Sequence, residues 1–283
     1  MPLEEANKIA KQFMQKQNNS PVEDFQGLSP YQMHYLIHDP LHPDSILKIK
    51  ELSEEQLKSF PMFCQVRFLA QLISESKGLK LTQSAFLPMK VVEAVYNQGY
   101  IKEYFVEQGI QRRMREDEIP SIYIARILLE VMGITKIRSG KLSLTKKAEK
   151  LLADNQLLLN TLLQHYLTKF NWGFMDGYED DRVGQMAGAF SIYLVHKFGD
   201  KKRFDTFYAK KYIQAFPMLL ESPIPEFQEP VDYVGHIYIH RAIQQFMVYF
   251  GLIEYQRGER YDDDSFVTKT VLFDEFISFD TKK

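Results

Sequence analysis

Apolar side chains recur along this chain at helical spacing, and three times the stripe ends on a glycine followed by a short alternating segment. Met62, Val66, Leu69 and Ile73 follow the +4, +3, +4 rhythm of one helix face. Lys77-Gly78 stops that helix, Leu79-Lys80-Leu81 alternates, and Thr82 precedes a second helical stretch, broken by Pro88, that continues through Lys90–Val95. In the second occurrence Ile124, Ile127, Leu128 and Val131 mark the helix and Gly133 ends it. Ile134–Arg138 reads as a strand, Ser139-Gly140-Lys141 as a turn and Leu142–Leu144 as the returning strand, with Thr145 placed to cap a helix from Lys146 to Leu152. The third occurrence is looser. Ile239, Ile243, Phe246 and Phe250 precede Gly251, then a strand at Leu252–Tyr255. An acidic turn at Asp262-Asp263-Asp264 leads to Phe266-Val267 and on to Thr270–Phe273.

Helix, glycine, strand, turn, strand and threonine-capped helix make up the second half of a winged-helix unit. The pattern therefore predicts an α+β, mainly α fold, with two or three winged-helix-like units joined by helices. Residues 1–24 read as an N-terminal helical arm and 25–155 as a tandem winged-helix-like region. Residues 156–220 read as a helical connection with a loop at Asn171–Asp181, 221–232 as an extended proline-rich linker and 233–283 as a third unit. Local signals support several helix starts. Ser29-Pro30 with Gln32 spells a capping box, closed by Pro40 and Pro43, and Ser53 precedes Glu54 and Glu55, acids suited to a first turn.

Composition narrows the class without naming a chemistry. The 283 residues carry 35 basic and 37 acidic side chains with 45% hydrophobic positions, the proportions of a globular protein. A formal charge of −2 gives no global pull towards nucleic acid or an anionic membrane. One cysteine, Cys64, excludes an intrachain disulfide or a multi-thiolate zinc site and fits a reducing cytoplasm. The N-terminal residues lack the apolar stretch of a secretory signal. Uncharged runs such as Phe25–His38 fall short of the roughly 20 apolar residues of a membrane span. The expectation is a cytoplasmic protein without membrane contact.

The segments LKLTQSAFLPMKVVEAV (79–95), REDEIPSIYIARILLEVMGI (115–134) and RSGKLSLTKKAEKLLAD (138–154), with GLSPYQMHYLIHDP (27–40) upstream, resemble a set of uncharacterised bacterial proteins. The same region occurs in some members of the plasmid open-reading-frame-three-like family. The likeness spans roughly residues 25–165, with a weaker echo at 250–277. Ala85 and Ala148 stand where that pattern usually has glycine, and the plasmid family's extra β domain is missing. The resemblance implies a fold and no established activity.

Catalytic signatures are scarce. G-x-G-x-x-G, G-x-x-x-x-G-K-[ST] and G-x-S-x-G are absent. Ser74–Lys77 fits S-x-x-K by spacing alone, and Cys64 reads as an inert thiol on an apolar helix face. His34 and His38, like His236 and His240, stand four apart as two metal ligands on one helix face would, with His42, Asp39 and Asp44 nearby. Packing beside a helix face explains both pairs more simply. The acids at 176–181 and 262–264 read as solvated loop tips, and no cofactor is implied.

Charge is locally uneven. Between Ile110 and Lys150 ten basic residues face five acids, a balance of +5. Arg112, Arg113, Lys136, Arg138, Lys141, Lys146 and Lys147 are the candidates for phosphate contact; Lys136, Arg138 and Lys141 surround the expected wing, and Lys146 and Lys147 lie on the helix after it. The preceding helix, Ser121–Met132, would read bases in a winged helix. It is apolar nearly all round, offers only Arg126, and is expected to be buried. The leading expectation is thus a non-enzymatic binding or scaffold protein acting through protein contacts or self-association, with an apolar patch around Trp172 and Phe174 as the candidate surface. The alternative is a nucleic-acid-associated protein, and a metal-dependent enzyme using His34 and His38 is a distant third.

Overall fold

A computed structural model describes residues 3–221, 223–258 and 265–280. Among these, helices dominate, and eight short strands form three small antiparallel sheets. The chain is therefore α+β. The arm is α1 (Leu3–Asn18). The Ser29 hydroxyl accepts from the Gln32 amide while the Gln32 side chain accepts from the Ser29 amide, and this reciprocal box opens α2 (Pro30–His38). After β1 (Leu47–Ile49), Ser53 and Gln56 repeat the device at α3 (Glu54–Leu57).

The three sequence occurrences fold as two sets. The first set runs α4 (Pro61–Glu75), β2 (Leu79–Lys80), α5 (Met89–Tyr96), α6 (Tyr104–Glu107), α7 (Pro120–Val131), β3 (Thr135–Arg138) and β4 (Lys141–Leu144). The segment at 79–81 has no hairpin of its own. A two-residue strand cannot persist unpaired, and it finds the free edge of β4, with Leu79 opposite Leu142, giving the order β2-β4-β3. The first two occurrences are the two halves of one assembly.

The second set begins inside the stretch expected only to connect. After α8 (Lys146–Ala153) and α9 (Asn155–Thr168) come α10 (Gly188–Phe198), β5 (Arg203–Phe204) and α11 (Asp205–Ala215). Next, α12 (Pro230–Tyr238) starts within the expected linker and passes directly into a π-helix at Ile239–Val248. The set closes with β6 (Ile253–Gln256) and β7 (Phe266–Lys269), in the order β5-β7-β6. The acidic turn expected at 262–264 lies outside the described residues.

The two sets agree down to single hydrogen bonds. Gly133 and Gly251 both adopt φ 71°, a left-handed conformation open to glycine at little cost. The Ile134 amide donates to Leu129 and the Leu252 amide to Met247. Thr145 Oγ1 then donates to the Gly133 carbonyl at 2.7 Å, and Thr270 Oγ1 to the Gly251 carbonyl at 2.9 Å. Thr270 also accepts from the Phe273 amide and so caps α13 (Val271–Phe276). The Thr145 hydroxyl keeps the bond to Gly133 but accepts none from α8, so the side-chain cap expected there is absent.

The last strand, β8 (Ile277–Phe279), pairs with β1, with Leu47 opposite Phe279. The sets are also bonded directly to each other. The Met62 amide at the start of α4 donates to the Tyr249 carbonyl, and the Tyr249 hydroxyl donates to Glu103, whose carboxylate also accepts from the Ser121 amide at the start of α7. Buried apolar side chains from both sets and from α9 form one continuous core. No helix among the described residues is long and apolar enough to cross a membrane.

Candidate binding surface

The sheet β2-β4-β3 has two unlike faces because side chains alternate along each strand. Leu79, Leu142 and Thr135 point inward and are buried. On the other face, Lys80 lies opposite Lys141 and Lys141 opposite Arg138, so three cations form one row across three strands. Lys136, two residues before Arg138, shares that face and lies opposite Ser143. All four cations are exposed, and among the described residues none forms an ion pair. Lys80 escaped the sequence reading, since its place beside Lys141 depends on a pairing between segments some 60 positions apart.

The other basic candidates are distributed differently. Lys146 and Lys147 are exposed on α8, but Lys147 Nζ donates to the Met132 carbonyl at 2.8 Å, where it neutralises the carboxyl end of α7. Arg112 and Arg113 are exposed on the segment after α6, and no strand pairing ties that segment to the hairpin. Arg126 is 4% exposed and held by Glu116 and Glu130. Burial raises the Glu116 carboxyl above its usual range against the opposing pull of Arg126. Ile122, Ile124, Leu128 and Leu129 are also buried, so α7 presents no reading face. The helix in the same position of the second set is buried as well, through Ile239, Ile243 and Phe246.

The second set lets the cations be compared with the same fold without them. By register, Lys80 corresponds to Phe204, Lys141 to Phe266 and Arg138 to Gln256. Phe204 and Phe266 pack with ring centroids 4.7 Å apart, and Lys202 Nζ lies 4.2 Å from the Phe266 ring. The sheet thus forms with aromatic and amide groups where the first has three charges.

Other expectations resolve individually. His34 and His38 are exposed with ring centroids 4.8 Å apart, and Tyr35 stacks on His42. No group of three or more His, Cys, Asp or Glu among the described residues is placed to hold a metal ion. His236 is exposed, whereas the His240 ring lies against Gln245 and burial lowers its pKa. Cys64 is half-buried, its thiol donates to the Lys58 carbonyl, and burial pushes its pKa up.

The loop after α9 departs from expectation. Trp172 is 2% exposed, packed on Tyr166 and Phe246, with Nε1 donating to the Tyr166 carbonyl, so it belongs to the core; Phe174 remains 50% exposed. Asp176 is no solvated loop tip. It forms a buried ion pair with Arg241. The signal was Arg241 itself, the one formally charged side chain in the run Ile237–Phe250.

A model of the Y4jL N-terminal domain family matches residues 58–157. That stretch holds the whole first set, from just before α4 to the start of α9. No curated protein and no solved structure matches the chain.

Proposed function

We propose that this chain is a non-enzymatic binding protein of the cytoplasm, built from two winged-helix-like units, that docks the outward face of its first hairpin on a polyanionic backbone such as duplex nucleic acid. Support for the winged-helix reading comes from the order the two sets share: a helix, a lone strand, further helices and a hairpin whose returning strand takes the lone one. The observation that carries the reading is the row Lys80, Lys141 and Arg138. Like charges placed opposite one another weaken a sheet, and the second set folds without them. A phosphate backbone would relieve that repulsion. Because α7 and the helix in its place in the second set are buried, contact would be with phosphates and indifferent to base sequence. Contact with other protein chains has separate support in α1, every described side chain of which is exposed.

The test is binding of a random-sequence DNA duplex, followed by fluorescence anisotropy at increasing salt. Four phosphate contacts predict an affinity loss of about 150-fold between 50 and 200 mM salt. Lys80→Glu, Arg138→Glu and Lys141→Glu together should abolish binding. An absence of binding at low salt, or binding untouched by the triple change, removes the reading.

A further inference from the structure

The geometry points to α1 as a self-association helix that pairs antiparallel with α1 of a second copy of this chain. A 16-residue helix is marginal in water on its own. Here Glu4 and Glu5 in the first turn and Lys16 in the last favour it locally, yet no described side chain along it is covered. Ile9, Phe13 and Met14 are 52%, 63% and 60% exposed. With Ala10 they fall at i, i+1, i+4 and i+5, one continuous stripe along the helix. Three large apolar groups gathered on one face differ from singly scattered exposed residues, and such a stripe is the usual mark of a partner surface.

Charge selects the partner. Glu5 and Lys16 are eleven positions apart, about three turns, so they lie on one flank of the stripe beside Ile9. When two identical helices pair antiparallel, each flank meets the same flank of its mate. A two-fold axis between residues 10 and 11 therefore sets Glu5 against Lys16 of the second copy at both ends, and brings Phe13 alongside Ile9 of the second copy. In a parallel pair the flank carrying Glu5 and Lys16 would meet the opposite flank of the mate, so neither residue would find the other. The Glu5–Lys16 match is therefore made by the antiparallel pair. It carries three lysines and two acids, too even a balance to prefer an anionic membrane. This inference is independent of the hairpin reading, since none of its residues lies in the β2-β4-β3 sheet.

Sedimentation velocity on the full chain tests it over a range of concentrations. Wild type should pass reversibly from monomer to dimer. Ile9→Glu with Phe13→Glu should remain monomeric at every concentration while keeping the wild-type thermal melt, which separates lost pairing from lost folding. Glu5→Lys alone and Lys16→Glu alone should each weaken the dimer by about fivefold, as two exposed ion pairs turn repulsive. Mixing the two variants should restore it as a heterodimer. A wild type that stays monomeric, a dimer that survives Ile9→Glu with Phe13→Glu, or charge variants that associate as wild type does would each overturn the proposal. So would a monomer that instead binds phosphatidylserine vesicles through Ile9 and Phe13.

Discussion

Arg241 and Asp176 form an ion pair almost without solvent contact, the guanidinium 0% and the carboxylate 2% exposed. The pair is tolerated because the guanidinium is also hydrogen-bonded, donating to the carbonyls of Asp180 at 2.7 Å and Val183 at 2.9 Å. It anchors the loop after α9 onto the π-helix of the second set.

Removing one partner leaves the other charge buried and unpaired. Asp176→Ala should cost about 3–5 kcal/mol of unfolding free energy. Equilibrium urea denaturation reads this directly, and a cost below about 1 kcal/mol would show that the loop is not held by the pair.

Gly133 and Gly251 share one backbone conformation but differ in their surroundings. An alanine at either meets the left-handed penalty of about 1–2 kcal/mol. At Gly133 the nearest neighbour of an added Cβ is the flexible Lys147 side chain at 3.6 Å, whereas at Gly251 it is the Pro61 ring at 2.9 Å. Gly251→Ala should therefore destabilise by at least about 1 kcal/mol more than Gly133→Ala, as measured by thermal melts of the two variants.

Burial lowers the pKa of both His240 and His196 in the folded chain; at His196 the nearby Lys269 adds to the effect. A depressed folded pKa means that the native state resists protonation more than the unfolded chain does. The stability it supports is present above the unfolded value near 6.5 and is lost as pH falls through the window below it. Unfolding free energy should drop between pH 7 and pH 5, with a slope of up to about 1.4 kcal/mol per pH unit for each histidine. His240→Gln should flatten that slope. An unchanged slope in the variant would assign the acid sensitivity elsewhere.

If the cations of the first hairpin serve binding, the fold should not need them. Lys80→Gln, Arg138→Gln and Lys141→Gln together should leave stability within about 0.5 kcal/mol of wild type, or raise it, while reducing affinity for duplex DNA. Marked destabilisation would assign the row a structural role.

The sequence by itself determined what depends on neighbours a few residues away. The capping box at Ser29 and the helix start after Ser53 were legible, as were the hairpin at 135–144 and the burial of the helix beginning at Pro120. Each rests on a cap, a turn glycine or a 3.6-residue apolar rhythm, and such signals act over one or two turns. Only the tertiary structure decided which distant segments meet. It joined Leu79 to Leu142 and Leu47 to Phe279, turned three occurrences into two sets, drew Lys80 into the cation row and took Asp176 and Trp172 inside. Strands of two or three residues carry almost no pattern of their own. Their partners are chosen by which open edge the packed helices leave within reach, and spacing along the chain does not contain that choice.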